Sequence, residues 1–249
     1  LYKIENGKIR PSKSLQDSIK KMINGNQEFV MLDEQKVVYE DILLNSLKCK
    51  KDKKKRTIIV EGGPGTGKTV VAINLLSKLT QEGQFVQYTS KNSAPRYVYA
   101  KKLSGYKKSI VSNMFKGSGS YVDLESNMID TVLCDEAHRL NEKSGLYSNL
   151  GENQIKEIIH VSTCSVFFID ESQRVTLKDI GTVNEIKKWA KELDSEVTEL
   201  ELISQFRCNG SNGYLAWLDH VLEIRETANL DMQDIDYDIQ ILDSPNQVK

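Results

Sequence analysis

Three short runs in this 249-residue chain carry the residue types and spacing for phosphate chemistry. The first is Gly62-Gly63-Pro64-Gly65-Thr66-Gly67-Lys68-Thr69, which fits the pattern Gly-x-x-x-x-Gly-Lys-Thr and runs on into Val70. Its glycines let the backbone curl so that successive N–H groups face a phosphate, and a following helix would turn its positive end to the same anion. Lys68 would reach the β/γ oxygens as a point charge, and the Thr69 hydroxyl would ligate Mg²⁺. The second run is Asp130-Thr-Val-Leu-Cys-Asp135-Glu136-Ala-His138. Asp135 would hold the metal and its water shell, and Glu136 would polarise the attacking water. Two adjacent acids point to hydrolysis, where one acid would suggest a switch or a kinase. His138 has no His or Cys at ligand spacing, so coupling or packing is the expected role rather than metal binding. The third run is Phe167-Phe-Ile-Asp170-Glu-Ser-Gln173. An amide at Gln173 can donate to a γ-phosphate or orient the lytic water, although taken alone the same residues read equally as a polar turn.

These runs need elements to place them, and the hydrophobic pattern supplies a regular alternation. Thr57–Val60, Phe85–Thr89, Thr131–Cys134, Ser165–Ile169 and Val197–Leu202 read as strands. Between them Val70–Leu79, Pro95–Leu103, Gln154–His160 and Asn184–Leu193 read as helices. Short continuous apolar strands alternating with helices predict an α/β fold, a mostly parallel sheet with helices on both faces. Ligands in such sheets bind at the C-terminal strand ends, and all three runs fall at such ends. Residues 1–28 form a polar, mildly helical extension. Lys48–Arg56, with seven basic residues and one acid, reads as an exposed loop, either a solvated linker or a patch that steers phosphate.

Composition narrows the setting. The 39% hydrophobic content is ordinary for a soluble protein, no apolar run approaches the roughly 20 residues of a membrane span, and the polar start Leu1–Gly7 gives no secretory signal. Cys49, Cys134, Cys164 and Cys208 fit neither a zinc half-site nor a disulfide framework, so a reducing, cytoplasmic setting without a membrane partner is expected. The formal net charge of −1 averages two unlike parts, +8 over residues 1–190 and −9 over residues 191–249. A basic body of that kind can attract nucleic acid. The absence of an initiating Met, and a polar end directly after the strand-like Ile239-Gln-Ile-Leu242, suggest a fragment of something longer.

The order Gln35, Gly-Gly-Pro-Gly-Thr-Gly-Lys-Thr69, Asp135-Glu-Ala-His138, Asp170-x-x-Gln173 and Gln205-Phe-Arg207 resembles the first RecA-like lobe of a superfamily 1 helicase. Leu133–Leu140, Phe168–Gln173 and Gln205–Leu218 are similar in more detail to the schlafen group 3-type DNA/RNA helicase domain family, over roughly residues 29–243. The resemblance implies a RecA-like P-loop NTPase lobe at 29–203 and the start of a second lobe at 204–249. It implies that Gln35 reads the adenine edge and that Arg207 reaches the γ-phosphate, beside Lys68, Glu136 and Gln173 in the catalytic set. Ser90-Lys91-Asn92 and Arg96 would touch a nucleic-acid backbone, and Tyr121 would offer a stacking platform. The expected function is therefore an ATP- and Mg²⁺-dependent helicase-like ATPase coupled to DNA or RNA, with single strands the favoured partner and fused nuclease or sensor domains in the intact protein. Unwinding by one lobe alone is not expected, and even its hydrolysis would be slow. Two other readings stay open. One is a nucleotide-driven switch in a multi-domain defence or stress protein that does not unwind; the other is an AAA+-type remodeller, which would want Asn where the chain has Asp170-x-x-Gln173.

Overall fold

The computed structural model describes residues 30–103, 108–145, 147, 149–203, 212–224, 227, 242–244 and 246, together with 4, 5, 8, 9, 19 and 21. Its framework is a six-stranded sheet of β1 (Arg56–Gly62), β2 (Val86–Thr89), β3 (Phe115–Lys116), β4 (Ile129–Cys134), β5 (Ser162–Ile169) and β6 (Glu196–Leu202). The spatial order is β3-β2-β4-β5-β1-β6 and every pairing is parallel. Every residue of β4 and β5 is buried, which explains why those strands read as continuous apolar runs with no alternation. At one edge β6 carries Glu196, Glu199 and Glu201, charges that discourage further strand pairing.

Side-chain alternation divides the interior into two cores. Ile58, Val60, Tyr88 and Phe168 face one side, where they pack with Val38 and Ile42 of α1 (Asp33–Asp52), Leu75 and Leu76 of α2 (Lys68–Gln81), Tyr99 of α3 (Ser93–Lys102) and Val111 of α4 (Lys108–Met114). Ile59, Val132, Phe167 and Ile169 face the other, with Ile155, Ile158 and Ile159 of α5 (Gln154–Val161) and Ile186 and Ala190 of α6 (Val183–Glu192). Helices therefore cover both faces of a parallel α/β sheet, as the alternation predicts.

Local signals set the helix starts. Asn92 accepts from the Ala94 N–H at 3.0 Å, Asn153 caps α5 through the Ile155 N–H at 2.9 Å, and the Thr182 hydroxyl accepts from Glu185 N–H at 3.1 Å. The Asn92 cap puts the start of α3 at Ser93, two residues before the predicted start at Pro95, which sits in the first turn where a missing N–H costs nothing. The Lys48–Arg56 run is not the exposed loop expected. Lys48–Asp52 complete α1, Lys53 closes it in a left-handed conformation at φ 60°, and Arg56 begins β1. Lys55 Nζ donates to the carbonyls of Ile159, His160 and Ser162 at 2.6–2.9 Å, so this cation is used to finish α5.

The chain divides into two compact units, one of Leu1–Gly63 with Gly67–Ile203 and one of Pro64–Thr66 with Ser204–Lys249. The first holds the whole six-stranded sheet. Within the second, α7 (Asn212–Val221) stacks Tyr214 and Trp217 with ring centroids 6.3 Å apart.

Candidate nucleotide site

Strand order decides which residues meet. β5 lies between β1 and β4, with Val60 paired to Phe168 and Phe167 paired to Cys134, while Thr89 of β2 pairs with Cys134. The residues just beyond β1, β5, β4 and β2 therefore emerge along one edge: Gly63, Asp170, Asp135 and Ser90. The three chemical runs, far apart in sequence, become neighbours there.

At that edge the glycine loop ends in Gly67, whose φ of 89° is open to glycine and strained for any side chain, and α2 starts at Lys68. Lys68 Nζ donates to the carbonyls of Gly62 and Gly63 at 2.5 and 2.8 Å, which holds the ammonium over the loop. Thr69 Oγ1 donates to Asp135 Oδ2 at 2.7 Å. The buried Tyr88 hydroxyl donates to the same Oδ2 at 2.7 Å, and the Glu136 N–H donates to Oδ1 at 3.0 Å. Burial, then the Asp135 carboxylate, push the Tyr88 phenol well above its ordinary value, so it stays a protonated donor. Thr69 and Asp135 are hard oxygen donors within hydrogen-bond reach of each other, and among the described residues no group of three His, Cys, Asp or Glu gathers as a metal cage. That donor set suits Mg²⁺, which is usually held by one or two protein oxygens with phosphate and water completing its shell.

Glu136 is a left-handed residue at φ 55°, uncommon for a non-glycine, and it opens the single turn Ala137–Arg139. Its carboxylate is 37% exposed, unlike the 2% exposed Asp135, so the two acids part into a buried and an open one. His138 is 1% exposed; its Nδ1 accepts from the Asp170 N–H at 3.3 Å and its Nε2 stands 3.8 Å from Glu136 Oε2. Burial lowers the imidazole pKa, Asp170 opposes it, and Lys68 and Arg139 add to the fall, so His138 is neutral. It links the Glu136 turn to the end of β5. Asp170 accepts from Ser172 Oγ and from Gln173 Nε2, both at 2.6 Å, which ties down the Gln173 amide.

Gln35, in the first turn of α1, is 3% exposed. Its Oε1 accepts from Leu32 N–H at 3.1 Å, and its amide lies so close to Gly67 that any Cβ there would collide with it. Gln35 thus adjoins the phosphate loop across a gap of about thirty residues of sequence.

The expected strand contacts fare differently. Ser90 is fully buried, Lys91 Nζ is held by Asn141 and Asp179 at 2.9 Å each, and Asn92 caps α3. Arg96 is half-buried, with its Nε on the Asn92 carbonyl at 3.2 Å. Tyr121 is 2% exposed inside the second core, so the stacking role is corrected to core packing. Gln205 and Arg207 lie outside the described residues. Sequence reasoning missed Tyr88, because a tyrosine in an apolar strand reads as core. Only the register, Tyr88 beside Leu133 and Thr89 beside Cys134, brings its hydroxyl to Asp135.

The sequence profile of the Schlafen group 3, DNA/RNA helicase domain family matches residues 55–249. No curated protein matches the chain. Among solved structures, DnaA from Aquifex aeolicus bound to AMPPCP is 13% identical, with 81% of this chain and 57% of that chain covered and a TM-score of 0.37. The replication initiator DnaA bound to AMPPCP and single-stranded DNA is 18% identical, with 79% and 55% covered and a TM-score of 0.36. PCH-2 of C. elegans is 13% identical, with 86% and 52% covered and a TM-score of 0.34. The chain spans little more than half the length of these structures.

Proposed function

Because the chain belongs to the Schlafen group 3, DNA/RNA helicase domain family, we propose that it binds ATP with Mg²⁺ at the Gly62–Thr69 loop, hydrolyses it, and couples turnover to a DNA or RNA strand. The observation that carries this reading is the 2.7 Å contact of Thr69 with Asp135 beside a loop whose lysine is already turned over it. Thr69 and Asp135 would hold the metal, which when bound would neutralise charge on the β/γ-phosphates. Lys68, held by the Gly62 and Gly63 carbonyls, would exchange them for phosphate oxygens as acceptors. Glu136, open to solvent, accepts the proton of the attacking water, and His138 ties the turn that carries it to the β5 end through the Asp170 N–H. Gln173 orients the water or senses the γ-phosphate, Gln35 contacts the base, and Arg207 supplies a permanent planar charge to the transition state. Residues 204–249 are read as the start of a second lobe. A reducing, cytoplasmic setting is part of this reading; among the described residues Cys49, Cys134 and Cys164 are buried and free. Among the described residues no helix is long and apolar enough to cross a membrane.

A second reading, a nucleotide-driven switch that does not unwind, is favoured by the burial of Ser90 and by the use of Lys91 on Asn141 and Asp179 and of Asn92 as the cap of α3. ATP turnover with and without single-stranded DNA or RNA separates these readings from a nucleic-acid-independent ATPase, and strand displacement separates motor from switch. Lys68→Ala should abolish turnover, and Glu136→Gln should keep ATP binding while stopping hydrolysis. Wild-type turnover in Lys68→Ala would overturn the assignment of the loop.

A further inference from the structure

Asp179 lies six residues beyond Gln173, and its carboxylate is fully buried. Oδ1 accepts from Lys91 Nζ at 2.9 Å, and Oδ2 accepts from the backbone N–H groups of Val175 and Thr176 at 3.0 and 2.9 Å. Arg139 Nε stands 3.1 Å from Oδ2 as an ion pair, near enough for attraction though not aligned as a hydrogen bond. The Asp179 carbonyl in turn takes Nε and Nη2 of Arg174 at 3.0 and 2.7 Å. Two further contacts close the cluster. Asn141, which also receives Lys91, forms an isolated antiparallel bridge with Asp179, and Gly181 approaches the Ala137 carbonyl so closely that a Cβ would overlap it.

A turn that needs only two N–H groups satisfied could use a neutral asparagine, yet here a full negative charge is buried. Such a charge is tolerated only when paired, and removing a partner leaves it uncompensated. Its cations come from two different strand ends, Lys91 after β2 and Arg139 at the end of the Glu136 turn after β4, and neither is forced inward, since their side chains are 30% and 31% exposed. One carboxylate thus ties together the segment after β2, the turn that carries Glu136 and the loop that leaves Gln173. Burial opposes ionisation, but Lys91 and the N–H groups of Thr176 and Val175 outweigh it and hold the carboxyl below the usual range, so the charge is present throughout.

We propose that Asp179 is a positioning residue that couples the nucleotide site to Ser90–Asn92, moving the ends of β2, β4 and β5 as one unit when Glu136 and Gln173 respond to nucleotide. The proposal rests on the ATP reading above, and it requires a measured coupling rather than mere adjacency.

Hydrogen exchange of the whole chain with and without ATP and Mg²⁺ tests it, alongside the ATP affinity. In the wild type, nucleotide should slow exchange both in residues 68–81 and in residues 86–98. Asp179→Asn keeps the shape and the acceptor for Val175 and Thr176. It should retain protection of 68–81 and ATP affinity within about twofold, and lose the protection of 86–98 by roughly tenfold, within the usual range for coupling between sites. Arg139→Gln, on a part-exposed side chain, should reproduce the loss if Asp179→Asn does not fold, and Arg139→Lys should restore it. Unchanged protection of 86–98 in the variants overturns the proposal, as does a wild type in which only 68–81 responds. Parallel loss of both regions with a lowered melting temperature also overturns it, because that is a purely structural role. If the wild type shows no protection of 68–81, the ATP reading itself falls and takes the coupling with it.

Discussion

Tyr88→Phe removes one oxygen from the site and nothing else. The ring stays in the first core, edge-on to Tyr99 at 5.9 Å and tilted against Phe115 at 5.8 Å, so its packing is unchanged. What is lost is the 2.7 Å donation to Asp135 Oδ2, the oxygen that Thr69 also uses. A hydrogen bond to a charged acceptor contributes about 1.5–3 kcal/mol. Partners that orient a metal-binding carboxylate typically change metal affinity by about 10–100-fold, which is the same magnitude in another form. Because the phenol is held well above its ordinary pKa, the donor is present at every working pH and the effect should not vary with pH. ATP turnover measured against free Mg²⁺ should show a half-saturating concentration raised about 10- to 100-fold, with turnover recovering toward wild type at saturating metal. An unchanged Mg²⁺ dependence would mean that Asp135 needs no orienting partner, and the assignment of Thr69 and Asp135 to the metal would be wrong.

Gly67→Ala places a Cβ at φ 89° and against the Gln35 amide, a left-handed strain of about 1–2 kcal/mol before the collision is counted, so ATP binding measured by calorimetry should be lost. Lys55→Met strands three carbonyls at the end of α5 and should lower stability by about 2 kcal/mol, read as a lower urea midpoint at constant slope. Burial holds the His138 pKa below its ordinary 6.5, so the folded state resists the proton that the unfolded state accepts. This part of the stability is therefore present above 6.5 and lost as pH falls below it, and His138→Gln should flatten that acid-side loss in urea titrations. Lys53→Gln with Lys54→Gln should leave oligonucleotide affinity and its salt dependence unchanged, whereas two lost phosphate contacts would reduce the slope by about 1.4.

The parts of the molecule that depend on neighbours in sequence were legible in it. β4 and β5 announce themselves through their apolar ends, Val132–Cys134 and Val166–Ile169, which are covered on both faces, and the glycine loop does so because Gly67 needs a backbone that side chains resist. Pairings between distant segments were not legible. Nothing in Phe85–Thr89 says that Tyr88 points at Asp135, and nothing in Gln173–Gly181 says that Asp179 will collect Lys91 and Arg139. Both contacts follow from β5 being inserted between β1 and β4, and strand order leaves no local trace. Gln35 was reached by resemblance alone, and its place against Gly67 supplies the physical reason a glutamine belongs there.

Charge misled for a related reason. A count of lysines and arginines records how many cations a chain has but not where their N–H groups are used. Lys50 is spent on the carbonyls of Glu82 and Gly83, Lys55 on the end of α5, Arg56 on Asp52 and Glu196, Lys68 on the phosphate loop and Lys91 on Asp179. The densest basic run also enters the sheet at the N-terminal end of β1, whereas the chemistry sits at the other end. Seven residues at about 3.3 Å each put some 20 Å between them, about two Debye lengths at ordinary salt. These five of the thirty cations in residues 1–190 are fastened to other parts of the chain, so the excess of +8 overstates the charge that a nucleic-acid strand would meet.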